Sequence, residues 1–438
     1  MKQITLLSMV LVPALVSAMT VTEVVQKTIE THPQMTMKKE NHNAQKKLLT
    51  SAKSDYLPSL DLSYAVGPEH TRTIENGREN ESLTRQEASA TLSLNVFSGF
   101  NTKYGVKQQE ALILSAGNSV MESANVLALE TATYYVNVIR HYELLQIAKE
   151  NTEVHKKYLS QIKEKVDAGV GRASDYKQTL SRYEGALSVQ YLAQQNYDNA
   201  ISSFKRILPG DVSAADLEKP TIGNLPANDI ASLVEIALQY NPTIDVSKND
   251  ITVAKAALRR SDSAFYPRVD IIAETYWNKN VHGVSTEASS PSPSLHEIDS
   301  GHNAMLVVSY NIFNGLADKA NKEANQHKLL NKSSTLADAE RWIKAHTEIA
   351  WQTFELTKQQ LVHLENNINA SADTVADYRK ENELGRRSII DLLNIELEYN
   401  AARNLKVTAE HDRLIAYYQI LSYTGKIMEE MNVIQVCD

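Results

Sequence analysis

Four blocks of this sequence recur, in the same order, about two hundred residues further on, and a chain duplicated in this way folds as two copies of one unit. Val24 to Pro33 is answered by Leu233 to Pro242, and Ser54 to Leu62 by Ser263 to Ile271. Pro33 and Pro242 stand 209 residues apart, as do Pro58 and Pro267. Leu94-Asn95-Val96-Phe97-Ser98-Gly99-Phe100 is matched by Tyr310-Asn311-Ile312-Phe313-Asn314-Gly315-Leu316 at an offset of 216. The same offset relates Gly169 to Gly385 and Asp175 to Asp391. The seven extra residues fall between Asp270 and Tyr310, where Gly283 to Ser300, with Pro291 and Pro293, reads as a polar loop. The organisation expected is a signal peptide over 1–18, a first repeat over 19–220, a second over 221–428 and a tail over 429–438.

The amino-terminal reading rests on Lys2, an apolar run from Ile4 to Val16 and the small residues Ser17 and Ala18, the pattern of a cleaved secretory signal. Cleavage there leaves Met19 rather than a Cys, so no amino-terminal lipoprotein is expected. Beyond it no apolar run approaches the ~20 residues of a spanning helix. The net charge of −8 implies no nucleic-acid face. Cys437 is the only cysteine, which removes internal disulfides and cysteine-based metal sites. H-E-x-x-H, G-x-x-x-x-G-K-[ST] and G-x-S-x-G are absent, and no arrangement suits catalysis or a cofactor.

Each repeat carries two segments of period two, a strand signal. Leu60, Leu62, Tyr64 and Val66 oppose Asp61 and Ser63, and Ala90, Leu92, Leu94 and Val96 oppose Ser89, Thr91, Ser93 and Asn95. In the second repeat Val269, Ile271 and Ala273 oppose Asp270 and Glu274, and Leu306, Val308, Tyr310 and Ile312 oppose Ser309 and Asn311. Short strands with one apolar and one polar face suit a transmembrane barrel; a half-buried soluble sheet gives the same alternation. Tyr64, Tyr276, Trp277 and Tyr310 are candidate interface aromatics, or core residues, and Gly67–Gln86 and Val281–His302 are expected as outer loops.

The rest reads as helix. No Pro occurs between Pro68 and Pro209 or after Pro293. From Thr102 to Val166 a heptad places Val120, Leu127, Tyr134, His141, Ala148, His155 and Ile162 on one seam, alternating with Ala124, Thr131, Val138, Leu145, Thr152, Leu159 and Val166. His141 and His155 read as partly solvated packing residues rather than metal ligands. Such a helix is ~95 Å long at 1.5 Å per residue, and the shorter pair Gln34–Asp55 and Ser174–Leu208 adds to nearly its length. The second repeat offers Asp318–Glu383, Thr243–Asp262 and Ser388–Lys426. Gly169 and Gly385 interrupt these runs where the chain reverses, with Ser388 as an N-cap and Asp391 three positions on. The plain reading is two antiparallel helix turns; a functional mouth is the other.

Four strands cannot close a barrel, and an open sheet edge is forbidden in lipid. If the strands span a membrane, several chains share one barrel. Two chains give eight strands with a filled interior, three give twelve with a lumen. Polar strand faces would line it, and the helices would continue it as a tube.

On these duplicated units, the two Asn-Val/Ile-Phe-x-Gly blocks (Asn95 to Gly99, Asn311 to Gly315) and the run from Leu384 to Leu393, the chain resembles the TolC family of outer-membrane export ducts from Met19 to about Ile427. The resemblance implies a mainly α fold with membrane β: a homotrimer with a twelve-stranded outer-membrane β-barrel, four strands per chain, continued by a long periplasmic α-helical barrel. It also implies a periplasmic membrane-fusion adaptor and an inner-membrane ABC transporter or other pump as partners, besides outer-membrane lipid. Carried over residue by residue, Asp391 falls on an acidic constriction ring, and its companion one turn later is Asn394, which leaves that ring uncharged. Arg387 falls on a basic residue tying the second turn to the first, with Ser174 and Asp175 on its partners. Asn382 stands where some relatives have an aromatic in that lock. Ala168-Gly169-Val170 and Leu384-Gly385-Arg386 fall on the adaptor-contacting turns.

The expected function is therefore a non-enzymatic duct, with type I protein secretion of a large adhesin or toxin favoured by the Arg386-to-Leu393 wording. The alternatives are a multidrug or small-molecule efflux duct and, from another class, a secreted coiled-coil scaffold without a channel.

Overall fold

A computed structural model describes residues 18–75, 78–281 and 298–433. The expected signal peptide, the Pro291 and Pro293 stretch and Cys437 lie outside the described residues. The duplication shows directly in element lengths. Helices α1 (Val21–Thr31) and α5 (Ile230–Tyr240) have 11 residues each, α3 (Asn101–Asp167) and α7 (Ala317–Glu383) have 67 each, and α4 (Ala173–Ile207) and α8 (Ile389–Tyr423) have 35 each. Helices α2 (Pro33–Ser54) and α6 (Pro242–Ser261) both open on proline. Proline suits the first helical position, where its fixed φ fits and its missing N–H costs nothing, which accounts for the constant spacing of that pair.

By packing, the described chain forms two compact units: residues up to Lys39 with Gly117–Asp245 and Asp338 onward, and Glu40–Ala116 with Val246–Ala337. The second unit contains one antiparallel sheet in the order β1 (Ser59–Glu75), β2 (Arg78–Ser98), β3 (Arg268–Lys279), β4 (Ile298–Ser309). Cross-strand partners share a face, so the register settles the faces. Leu60 lies opposite Leu92, Leu92 opposite Ala273 and Ala273 opposite Ala304, and Leu94, Ile271 and Leu306 make the adjoining row. The other face carries Asp61, Thr91, Glu274 and Asn303 in one row and Ser63 and Ser89 in the next, their hydroxyls 2.8 Å apart.

Several strand expectations are corrected. Gly67–Gln86 is not an outer loop: β1 and β2 stay paired from Gly67 opposite Arg85 to Arg72 opposite Asn80. Above Val66 both faces turn polar, which erases the alternation without ending the ladder. Likewise Ile298 to His302 belong to β4, while 282–297 lie outside the described residues. Val96 is the extra residue of a bulge, because Asn95 pairs with Asp270 and Phe97 with Val269. Tyr310 and Ile312 follow the end of β4. Tyr276 and Trp277, being adjacent, face opposite sides. Trp277 shares the apolar face, whereas the Tyr276 ring covers Gly301, where a Cβ would sit 2.7 Å from its hydroxyl.

The Asn-x-Phe-x-Gly blocks mark the exits from β2 and β4. Gly99 and Phe100 have φ of 62° and 69°, Gly315 and Leu316 of 70° and 68°. This pair of left-handed residues swings each strand into α3 or α7, and glycine takes the first position without steric cost. A Cβ on Gly99 would also meet the Ser263 carbonyl at 2.5 Å.

In the other unit, α3 is the common element of the core. One cluster joins its Val120, Ala124, Leu127 and Ala132 to Val25, Phe354, Tyr417 and Ile420. A second packs its Tyr135, Val138 and Ile139 on Phe204 and Leu217. Covered from two sides, α3 is apolar beyond one seam, and by length and composition alone part of it could cross a membrane, against the expectation that no such run follows the amino terminus. Its Val120, Leu127, Tyr135 and Val138 are instead buried in these clusters. Helix α9 (Ile427–Glu430) and Met431 close the same cluster, so the start of the expected tail is packed structure. The Tyr135 hydroxyl sits 2.6 and 2.5 Å from the Met19 and Glu218 carbonyls, fixing the amino-terminal segment to the connection between repeats.

Candidate functional site

The two helix reversals, α3 to α4 and α7 to α8, lie in the helical unit. The first ends as Gly169 N–H donates to Val166 O and Val170 N–H to Lys165 O, both 3.0 Å, with Gly169 at φ 77°. The second repeats this with Gly385 N–H to Asn382 O at 3.0 Å and Arg386 N–H to Glu381 O at 2.8 Å, with Gly385 at φ 71°. These bonds satisfy the last carbonyls of each long helix, and glycine is the residue that adopts this φ freely. Ala168, Gly169, Val170, Leu384, Gly385 and Arg386 are all exposed at the tips, Val170 at 80% and Leu384 at 69%.

The return helices start differently. Ser388 caps α8: its Oγ accepts from the Asp391 N–H at 3.1 Å and donates to the Asp391 carboxylate at 2.7 Å. Arg172 occupies the equivalent position before α4 and gives no side-chain cap. Beneath the turns Tyr158 and Ile162 of α3 pack against Ile389, Leu392 and Leu393 of α8, with Tyr176 and Tyr378 alongside.

The structure places the expected lock residues elsewhere. Arg387 does not reach Ser174 or Asp175. Its Nε donates to Glu381 at 2.8 Å and its guanidinium lies 3.9 Å from the Tyr378 ring centre, both on its own hairpin. The Glu381 hydrogen bond raises the Arg387 pKa above its ordinary value. Ser174 instead donates to Asp175 at 3.2 Å. Asn382 caps the turn, donating to the Arg387 carbonyl at 2.7 Å, and the aromatic partner is Tyr378 one turn earlier. Asn394 accepts from Arg182 of α4 at 2.8 Å.

Further charged contacts join the same helices. Arg379 donates at 2.6 Å to Glu396, which is 2% exposed, so this buried carboxylate has a cationic partner inside the bundle. Desolvation raises the Tyr158 pKa beside this pair. His155 is buried rather than partly solvated, its Nδ1 2.8 Å from the Asn151 carbonyl, and desolvation lowers its pKa. Among the described residues no group of three or more His, Cys, Asp or Glu side chains is placed to hold a metal. Sequence reasoning missed Arg182, Glu381, Tyr378, Arg379 and Glu396. The pair of Tyr378 on α7 and Arg387 in the turn had a signal in its short spacing; Arg182 had none, lying 212 residues from its partner.

Comparison with known proteins bears on the whole chain. Residues 24–209 and 233–426 match the outer membrane efflux protein family. The chain belongs to that family. It is similar to the outer membrane protein TolC of Escherichia coli, 22% identical over 435 residues that cover 93% of this chain and 82% of TolC. It is 20% identical to the outer membrane efflux protein BepC of Brucella suis over 88% of this chain and 80% of BepC. The alkaline protease secretion protein AprF of Pseudomonas aeruginosa is also 20% identical, over 92% of this chain and 83% of AprF. Among solved structures, the Campylobacter jejuni CmeC outer membrane channel has a TM-score of 0.77 at 14% identity, covering 93% of this chain and 85% of CmeC. The open-state Neisseria gonorrhoeae MtrE channel scores 0.71 at 13% identity, covering 92% and 88%. This family member thus has the fold of the TolC-type outer-membrane channels, with its helices in the periplasm; the family is one of channels rather than a class of enzymes.

Proposed function

We propose that three copies of this chain close a twelve-stranded barrel and serve as the outer-membrane duct of a tripartite export machine. A periplasmic membrane-fusion adaptor would dock on the exposed tips at Ala168-Gly169-Val170 and Leu384-Gly385-Arg386, with an inner-membrane ABC transporter as the pump. The observation that carries this reading is the open four-stranded sheet, whose apolar face stays exposed and whose outer edges pair with no strand among the described residues. Three sheets side by side remove every edge and turn the hydroxyl- and carboxylate-bearing face into a wet lumen. Residues 1–18 act in this reading as the secretory signal.

The cargo proposed is protein, in the manner of type I secretion. AprF and the proteases secretion protein PrtF of Dickeya chrysanthemi, 18% identical, are named for the secretion of proteases and support a protein cargo. Small-molecule efflux is the second reading, favoured by the likeness to BepC. At the mouth, three copies of Asp391 would set like charges around a narrow throat and favour cations. The test is single-channel current from purified trimers in planar bilayers, together with the secreted proteins and drug susceptibility of cells lacking the chain. A current, and loss of a secreted protein without drug sensitisation, is expected. Drug sensitisation alone would reverse the cargo assignment, and trimers without current would leave the scaffold.

A further inference from the structure

We infer that the releasable polar tie between the two hairpins nearest this mouth is Arg182–Asn394, inside the return helices, rather than a link from Arg387 to Asp175 at the tips. The inference rests on the channel reading above and names the residue pair that regulates its opening. Arg387 is committed to Glu381 and Tyr378 of its own hairpin, and Asp175 accepts from Ser174. Breaking any of these contacts separates nothing between hairpins. Arg182 is different: it leaves α4, the return helix of the first repeat, and its Nη2 donates at 2.8 Å to Asn394 Oδ1 on α8, the return helix of the second. Asn394 directly follows Leu392 and Leu393, where α8 packs against α3.

The chemistry of the pair suits a releasable tie. A neutral amide oxygen accepts from a guanidinium less strongly than a carboxylate does. Arg182 Nη1 is buried with no hydrogen-bond partner, so the guanidinium has a spare donor at the same place. Aspartate at position 394 would accept from both nitrogens in fork geometry and close the tie more firmly. This gives a prediction of sign. If Asn394 merely lined the lumen, the same substitution would add a carboxylate to the throat and change ion selectivity instead.

The experiment is single-channel recording of intact trimers in planar bilayers for wild type, Arg182→Ala, Asn394→Ala, Asn394→Asp and Arg387→Ala, with trimer content measured alongside. Three copies acting on one opening equilibrium put the expected rise in open occupancy for Arg182→Ala at about tenfold. Asn394→Ala, which removes only the acceptor and keeps the arginine, should give the same rise and guards against a folding defect in the first variant. Asn394→Asp should fall below wild type with unchanged cation selectivity, and Arg387→Ala should stay near wild type. An Arg387→Ala channel that opens while both alanine variants at the tie do not would overturn the inference alone. So would an Asn394→Asp channel whose selectivity moves but whose opening does not. Wild-type trimers that carry no current would overturn the channel reading and the tie with it.

Discussion

Around Tyr135 and Phe204 the helical unit buries its apolar side chains within one chain, both rings having no exposure at all, whereas Leu62 and Leu306 of the sheet remain 77% and 66% exposed. The two regions have comparable apolar residues and opposite fates. In the helices the heptad seam and the short α1 and α5 give the apolar residues around α3 a facing surface, while Val189, Leu192, Ile349, Leu356 and Val362 stay exposed on α4 and α7. In the sheet the same alternation of apolar and polar residues leaves one face exposed, with no partner among the described residues. A face of Leu, Val and Ile that no part of the chain covers needs either lipid or another copy. The core around α3 is thus stabilised by packing within the chain, and the sheet by what surrounds it.

The largest effect that would sharpen this contrast is a cavity in the helical unit. Phe204→Ala should destabilise it by about 3–5 kcal/mol, since the ring is enclosed by α3 and the inter-repeat connection. Thermal unfolding followed by circular dichroism measures this, and a loss under about 1 kcal/mol would mean that the cluster collapses freely around the gap. In the sheet the sign depends on the face. Leu62→Arg should impair membrane insertion by about 2–4 kcal/mol near the bilayer midplane, while Ser63→Arg on the polar face should be close to neutral. Equal yields of inserted Leu62→Arg and Ser63→Arg protein would break the comparison.

A smaller effect concerns acid. His411 is fully buried between Glu143, Lys219 and Arg140, with its Nδ1 2.7 Å from the Val407 carbonyl and its Nε2 without a hydrogen bond, 3.8 Å from the Glu143 carboxylate. Desolvation lowers its pKa from 6.5, so the unfolded chain binds a proton that the folded chain refuses. Stability of the helical unit should therefore be full above pH 6.5 and decline as the pH falls through the window below it. His411→Gln should flatten that decline in chemical denaturation across pH 7 to 5, where the sheet's response should be unchanged.

Much of this was legible in the sequence because duplication and periodicity are local signals. The 67-residue helices, the reversing glycines and the four strands were all placed from spacing alone. What escaped was set by contacts that spacing does not encode. The β1–β2 ribbon beyond Val66 has no apolar face, so nothing marked it as strand. The alternation through Tyr310 and Ile312 outlived its ladder because β3 begins at Arg268, the partner of Ser309, and offers no residue beyond it. At the mouth Asp391 and Ser388 were readable as a cap from their spacing. Arg387 was assigned across the hairpins although Glu381 lay six residues away on its own, and Arg182 gave no sign of meeting Asn394.

The claim that joins these parts is that the uncovered sheet face belongs to a shared barrel in the outer membrane. Its most direct measurement is the size of the protein extracted from outer-membrane fractions in mild detergent, run on gels with and without heating. The account predicts a species three times the mass of one chain that persists unheated and falls to a single chain after boiling. A protein recovered as a monomer from the soluble fraction, with the same mobility heated or not, would contradict it.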